Sequence, residues 1–436
     1  MGDVGTALLL LAILFALLGS GVWVGLSLLG VAWAGMLLFT ARPAGDAMAT
    51  TIWGSASSWT LTALPMFIWM GELLFRTRLS EDMFKGLAPW MQRIPGRLLH
   101  TNVVGCAIFA AVSGSSAATC ATIGKMTIPE LSRRGYPDSV AIGSLSGAGT
   151  LGLLIPPSLI MIVYGVAADQ SVAKLFIAGV IPGIVLAALM SGYLVVWALF
   201  NPGKVPPADI HMSLGEKIWQ SRSLIPVILL IVMVLGSIYS GIATATEAAA
   251  FGVMGALILA AVQGGLTIKT FWDSVMGATR LSSMIALILA GSSFLSLAMG
   301  FTGLPRHLAQ WIQSLELSPF TLIAVLTVFY VILGCFLDGI SMVVLTIAVI
   351  LPMVEAAGFD LIWFGIFLVL VVETAQITPP VGFNLFVLQG MTGRSIFAIG
   401  WYSLPYFVLM VVMVAAIVVW PELATWLPAQ MKGRAG

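Results

Sequence analysis

Residues 374–385 read TAQITPPVGFNL and lie within an apolar segment, residues 361–390. Two adjacent prolines, Pro379 and Pro380, interrupt this segment where a membrane helix would otherwise continue. Proline has no backbone N–H and clashes with the preceding turn, so nearby carbonyl oxygens lose their helical partners. The stretch therefore predicts a broken helix with free peptide oxygens near its centre.

A similar break occurs 223 residues earlier, where Pro156 and Pro157 interrupt the apolar segment 139–168. Further pairs keep the same spacing: Pro129 and Pro352, Pro182 and Pro405, and Gly54 and Gly277. Several matches at one offset indicate a duplicated unit. We therefore predict two halves, residues 1–222 and 223–436.

The composition places both breaks inside a membrane protein. Of 436 residues, 60% are hydrophobic and 8% are charged, and the mean hydropathy is +1.07. Soluble domains carry about 25% charged residues, so the composition excludes a soluble enzyme, a nucleic-acid-binding protein and a disordered scaffold. The 19 basic and 18 acidic residues nearly cancel, which leaves no net field to attract nucleic acid.

Charge-free apolar stretches predict about ten complete membrane crossings of about 20 residues each. Two further apolar stretches, residues 98–131 and 320–356, carry polar, glycine-containing turns at their centres. Each arm has only about 15 residues, which is short for a crossing. Polar backbone is tolerated at membrane depth only where protein or water covers it. We therefore predict two re-entrant hairpins; the alternative is two ordinary helices joined by a loop.

A re-entrant hairpin adds no crossing, so each half is predicted to cross about five times. An odd number turns the second half upside down, and inverted repeats with interrupted helices are typical of secondary transporters. Most lysines and arginines fall on one side, which is therefore predicted to be cytoplasmic, with both termini on the other side. Leu79–Ile94 and Leu304–Leu315 mix charges with large apolar residues and predict amphipathic surface helices, with plain connectors as the alternative.

The turns and breaks supply oxygen atoms that suit a sodium ion. Unwound carbonyl groups, hydroxyl groups and a carboxylate coordinate monovalent cations, whereas helix N-termini attract an anionic substrate. The candidate sodium ligands are Ser113, Ser115, Gly152, Leu153, Ile155, Asp338, Gly339, Ser341, Thr378 and Pro380. The candidate substrate contacts are Ser116, Ser158 and Asn384.

Two acidic residues lie at or near these turns and breaks and are candidates for a functional role. A carboxylate at the membrane midplane costs at least about 2.5 kcal/mol, so Asp338 in the second turn predicts a functional role; the alternative is an ordinary aspartate in a surface loop. Glu373 precedes Thr378 by five residues. The sequence leaves three roles open for Glu373: a proton carrier, an acceptor that supports the site, or a paired structural carboxylate.

These segments resemble the large membrane subunit of the tripartite ATP-independent periplasmic (TRAP) transporters. The resemblance rests on the first turn, SGSSAA at 113–118, and on the breaks GLLIPPS at 152–158 and TPPVGFNL at 378–385. It covers nearly the whole chain and implies an all-α, polytopic inverted-repeat fold of the elevator type. The sodium ligands that it implies, together with neighbouring carbonyl groups, are Ser113, Ser115, Gly152, Asp338 and Thr378.

The resemblance also implies sodium-coupled uptake of a small organic acid, such as a C4-dicarboxylate or sialic acid, through the bacterial inner membrane. The implied partners are a separate small four-helix membrane subunit and a periplasmic binding protein that delivers the substrate. A stand-alone sodium/carboxylate symporter of related fold is the alternative. An intramembrane enzyme is disfavoured because no pair of catalytic residues is predicted at membrane depth.

Overall fold

The structure is a computed structural model, and it describes residues 3–77, 79–208, 212–303, 307, 310, 318–380 and 382–431. Its regular elements in these ranges are all helical, which confirms the all-α prediction. The helices before residue 222 are α1 Asp3–Gly19, α2 Val24–Phe39, α3 Ala44–Ala56, α4 Ala63–Phe75, α5 Leu79–Met91, α6 His100–Ser113, α7 Ser116–Arg133, α8 Asp138–Gly149, α9 Leu151–Leu154, α10 Leu159–Ala167, α11 Val172–Phe200 and α12 Leu214–Ser221. The later helices are α13 Ile225–Tyr239, α14 Ala245–Val262, α15 Ile268–Thr302, α16 Pro319–Leu333, α17 Gly339–Ala356, α18 Leu361–Gln376, α19 Phe383–Thr392, α20 Ile396–Val419 and α21 Glu422–Ala429.

Seven helical segments in the described residues are long and apolar enough to cross a membrane, counting Asp138–Ala167 as one segment across its break. Six further apolar helices are shorter. Large apolar side chains face outward, and Leu229 and Phe200 expose 62% and 82% of their surface. Such an outer surface fits lipid. A polytopic membrane protein is thereby confirmed, whereas the number of ten crossings stays a prediction.

The first segment with a polar turn, residues 98–131, contains α6 and α7 in contact with each other. Gly114 separates them in a left-handed conformation, with φ of +63°. Ser115 then begins α7, because its side chain accepts a hydrogen bond from the Ala118 N–H. A β-carbon on Gly114 would lie 2.9 Å from the carbonyl oxygen of Pro157. The turn therefore lies directly against the first double proline.

The second such segment, residues 320–356, contains α16 and α17. Asp338 precedes α17 and accepts hydrogen bonds from the N–H groups of Ile340 and Ser341 at 3.1 and 3.2 Å. Aspartate is a preferred residue at this position because its carboxylate satisfies N–H groups that lack helical partners. Both segments are helix–turn–helix units. Their depth in the membrane and the inverted relation of the two halves stay predictions.

Both double prolines lie between helices and contain cis peptide bonds, Pro156–Pro157 and Pro379–Pro380. The first pair separates α9 from α10, and the second separates α18 from α19. Every residue of α18 from Trp363 to Gln376 is buried, and this helix contacts α9, α10, α16 and α17. The C-terminal end of α18 is therefore surrounded by the helices on either side of the first break and of the second turn.

The first predicted amphipathic stretch, Leu79–Ile94, contains α5. Its Trp90 indole N–H donates a hydrogen bond to Ser221 Oγ at 2.7 Å, which ties α5 to the end of α12. The second predicted stretch, Leu304–Leu315, lies almost wholly outside the described residues.

Candidate functional site

The turn after α6 and the break before α10 lie against each other. The Leu159 N–H, at the start of α10, donates a hydrogen bond to the Gly114 carbonyl oxygen at 3.2 Å. Within the turn, the hydroxyl oxygens of Ser113 and Thr119 are 2.6 Å apart. These four residues are buried, so hydroxyl and peptide oxygens gather inside the protein.

Gly152 permits the closest approach between this break and this turn. A β-carbon on Gly152 would lie 2.6 Å from the Ser115 carbonyl oxygen and 2.7 Å from Thr119 Oγ1. Either distance is too short for a carbon atom, so only glycine fits without a shift of the backbone. The structure thus brings together three candidate sodium ligands, Ser113, Ser115 and Gly152. We refer to this region, residues 113–119 with 152–159, as the first half-site.

The remaining candidates of the first half-site have different surroundings. Leu153 is buried within α9. Ile155 leaves α9 in an extended conformation, with φ of −81° and ψ of 122°. Ser158 caps α10, because its side chain accepts a hydrogen bond from the Met161 N–H at 3.3 Å. The structure gives Ser158 a capping role, and a substrate contact by its hydroxyl group stays a prediction.

The second turn and the second break also touch, and residues 334–341 with 376–380 and 382 form the second half-site. Cys335 Sγ lies 3.3 Å from the carbonyl oxygen of Pro379. A β-carbon on Gly382 would lie within 3.0 Å of the carbonyl oxygens of Gln376 and Thr378. Peptide oxygens therefore converge in the second half-site as well.

The candidate ligands of the second turn lie at the start of α17. The two capping hydrogen bonds of Asp338 engage Oδ2, and Oδ1 has no hydrogen bond among the described residues. Gly339 and Ser341 are buried beside it, whereas Asp338 is half-buried. In the break, the Thr378 hydroxyl donates to the Thr374 carbonyl oxygen of α18 at 2.8 Å, and Pro380 is exposed.

Glu373, on the last turn of α18, contacts the first half-site. The Ser116 hydroxyl oxygen lies 2.7 Å from both carboxylate oxygens of Glu373. Glu373 is 0% exposed, and no lysine, arginine or histidine forms an ion pair with it in the described part of the chain. The hydrogen-bond partner of this buried carboxylate is therefore a neutral hydroxyl group.

Asn384, the third candidate substrate contact, is fully buried. Within the described residues, neither its Oδ1 nor its Nδ2 has a hydrogen-bond partner. Its amide lies beside Gly149, where a β-carbon would be 3.3 Å from Nδ2, and near Cys120. A buried polar group without a partner costs about 1–3 kcal/mol. Asn384 is therefore available to a polar ligand.

The amino-acid sequence matches a protein-family model along nearly its full length. Residues 11–423 match the model described as "Tripartite ATP-independent periplasmic transporter, DctM component". The chain belongs to this DctM family. The resemblance to TRAP large permease subunits that the two breaks suggested is thereby confirmed.

Several curated proteins are similar to this DctM-family chain. The C4-dicarboxylate TRAP transporter large permease protein DctM of Pseudomonas aeruginosa is 32% identical over 401 residues, which are 92% of this chain and 93% of that protein. The sialic acid TRAP transporter large permease protein SiaM of Vibrio cholerae is 28% identical and covers 96% of this chain and 97% of its own length. The isethionate TRAP transporter permease protein DctMQ of Oleidesulfovibrio alaskensis is 31% identical over 91% of this chain and 62% of its own length.

A solved structure shares the fold. The Alcanivorax borkumensis YdaH transporter, described as having an unusual topology, superposes with a TM-score of 0.63 over 87% of this chain and 88% of its own. The two sequences are 13% identical, so the likeness concerns the fold alone.

Two residues of the half-sites of this DctM-family chain were not singled out from its sequence. Thr119 follows Ser115 by four residues, a helical spacing that puts both on one face and that was a usable signal. Cys335 carried no signal, because a lone cysteine in an apolar segment usually only packs. Its proximity to Pro379 follows from the tertiary structure.

We predict that Gly152→Ala destabilises the protein, because the added methyl group displaces the Ser115 carbonyl group or Thr119. Overpacking of this kind costs about 1–3 kcal/mol. The matched control is Gly192→Ala within α11, where a β-carbon has no neighbour within 4 Å and where alanine favours the helix by up to about 1 kcal/mol. Thermal unfolding in detergent should show a lower midpoint for Gly152→Ala alone. An unchanged midpoint for Gly152→Ala would contradict the close approach.

Proposed function

We propose that this DctM-family chain is the sodium-coupled permease subunit of an importer for a small organic acid. The observation that carries the proposal is the first half-site, where oxygens of buried Ser113 and Thr119 and of half-buried Ser115 meet the Gly152 backbone. Hydroxyl and unwound peptide oxygens with little net charge are the groups that bind sodium in secondary transporters. The second half-site offers a comparable set, including Asp338 Oδ1.

Sodium entry supplies the work in this proposal. Moving one charge through 100 mV releases about 2.3 kcal/mol, which corresponds to roughly a fiftyfold concentration ratio. Two sodium ions that enter with one monoanion carry one net positive charge inward. The membrane potential then assists uptake in addition to the sodium gradient itself.

The proposed cargo is a carboxylate or a related organic anion. The relatives are named for C4-dicarboxylate, sialic acid and isethionate, which are all organic anions. In this chain, the unpartnered amide of Asn384 at the start of α19 offers an N–H donor. The N-terminus of a helix also favours negative charge. These groups suit an anion that occupies the site together with sodium.

We further propose an elevator mechanism. The moving part comprises the helices of the two half-sites, α6–α10 and α16–α19. Helices α2, α3 and α4 pack against the long α15, and α14 packs against α4. This second group forms the proposed scaffold.

The proposed partners are a small membrane subunit and a periplasmic binding protein. The family is named for a tripartite, periplasmic system. This chain covers 62% of the relative named DctMQ, which leaves room in that relative for a further membrane part. The proposed location is the bacterial inner membrane, with both termini on the periplasmic side.

Asp338→Asn tests the sodium proposal by removing charge alone. Asparagine also caps helices well, so the bonds to the N–H groups of Ile340 and Ser341 are retained. We expect sodium-dependent uptake in proteoliposomes to fall at least about tenfold, since each 1.4 kcal/mol of lost ion affinity is a factor of ten. The matched control is Asp360→Asn, because Asp360 caps the far end of α18 through the Trp363 N–H. The control should transport normally.

Ser113→Ala should impair the same uptake by removing a hydroxyl oxygen from the first half-site. Thermal unfolding of each variant separates a loss of ion binding from a loss of folding. Uptake by the unaltered protein at an equal rate with and without a sodium gradient would reject sodium coupling.

Asn384→Asp tests the cargo proposal. A buried negative charge of nearly the same shape should repel an anionic substrate, so we expect uptake of every organic acid to be abolished. The matched control, Gln389→Glu, adds the same charge at a half-buried position on α19 and should keep most activity. Normal uptake by Asn384→Asp would show that Asn384 does not contact the substrate.

Omitting the soluble partner separates the two transporter types. We expect proteoliposomes that contain both membrane subunits to take up organic acid only when the cognate binding protein is added. Saturable, sodium-dependent uptake by this chain alone would support the stand-alone symporter instead.

A further inference from the structure

The last turn of α18, residues 372–376, touches both half-sites. On one side, Glu373 accepts a hydrogen bond from the Ser116 hydroxyl group in the first turn. On the other side, Val372 and Gln376 crowd Gly339: a β-carbon there would lie 2.7 Å from Val372 Cγ1 and 3.0 Å from Gln376 Nε2. The same turn leads directly into the second break.

Glu373 is a fully buried carboxylate with no ion pair among the described residues. Its burial costs free energy, which suggests that the residue has a specific role. Removing a charge from water is unfavourable unless partners stabilise it. Here the partner is the Ser116 hydroxyl group, which donates to the carboxylate. The carboxylate thus faces a hydrogen-bond donor, and this bond tethers α18 to the first turn.

On the side of α18 opposite to Glu373, the helix packs closely against the second turn, so a movement of α18 affects that turn. Ala375 lies directly against Gly334, and Val372 lies directly against Gly339, so both ends of the second turn rest on α18 without intervening side chains. Close-packed interiors transmit displacements instead of absorbing them. A shift of the first turn therefore reaches the second turn through a single helical turn.

We propose that Glu373 is a positioning residue that couples the two half-sites through the last turn of α18, so that sodium binding at one half-site depends on the geometry of the other. This inference rests on the proposed sodium coupling for its functional consequence. Its structural part, the tether between the two turns, does not depend on sodium.

Glu373→Leu, which removes the acceptor, and Ser116→Ala, which removes the donor, test the coupling in proteoliposomes with the partner subunit and binding protein present. Both variants should raise the half-saturating sodium concentration by about fivefold or more and lower the Hill coefficient towards one. Because the two side chains act as a unit, the double variant should be no worse than the more impaired single variant.

The matched control is Ser403→Ala, which breaks another buried interhelical hydrogen bond of 2.7 Å, from α20 to Ser146 Oγ on α8. The control is expected to leave the Hill coefficient unchanged even if it lowers the melting temperature. If Glu373→Leu and Ser116→Ala change only the maximal rate or the melting temperature, Glu373 is merely structural and the proposal is wrong.

Hydrogen exchange of the purified protein without sodium provides a readout that does not depend on transport. Glu373→Leu should increase exchange at residues 113–118 and also at residues 334–340, whereas Ser403→Ala should increase neither. Faster exchange in the first turn alone would overturn the coupling. If instead the unaltered protein shows no sodium dependence of uptake, the proposed function fails, and the exchange experiment still decides whether Glu373 links the two turns.

Discussion

A peptide group without a helical partner cannot face lipid, and the rest of this fold depends on how that constraint is met. The double prolines and the two turns leave several peptide groups without the usual helical bonds. In hydrocarbon each such group costs several kcal/mol. In this protein each turn packs against a break. The irregular backbone of the turn and the irregular backbone of the break therefore cover each other. The oxygen-rich character of the half-sites is a direct result.

Glycine residues allow the turns and the breaks to pack this closely. Gly152 and Gly114 stand where a β-carbon would collide with a carbonyl oxygen of the opposing segment. Gly334 and Gly339 have the same relation to side chains of α18. Close approach of backbones brings peptide dipoles near one another and near any ion between them. These glycines therefore allow the backbone to turn and also bring the peptide oxygens of the site close together.

The location of the interruptions was accessible from the sequence because proline and glycine act locally. The pair of double prolines and the motif around residues 113–118 indicated both the segments and the family. The capping role of Asp338 was not among the predictions, although aspartate before a helix is a strong start signal. The hydrogen bond between Ser116 and Glu373 could not be predicted from the sequence, because it joins positions 257 apart in the chain. Such contacts arise only when helices pack.

The number of membrane crossings was also harder to predict from the sequence, because it too depends on how the helices pack. Length and hydropathy identify a helix that must span lipid by itself. Helix α18 has 16 residues and is buried along nearly all its length, so its surroundings are protein and its length need not match a bilayer. Short arms such as α6 pose the same difficulty. Apolar composition alone therefore does not separate a crossing from a helix enclosed by other helices.

The hydrogen bond from the Leu159 N–H to the Gly114 carbonyl oxygen has a consequence for motion. A flap-like opening of the first turn would strip both groups of their partners and would expose the start of α10. Each stranded polar group costs about 1–3 kcal/mol when it stays buried. Displacement of α6, α7 and α10 together as one rigid body keeps the bond intact. The bond therefore favours joint movement of these three helices over an opening of the first turn alone.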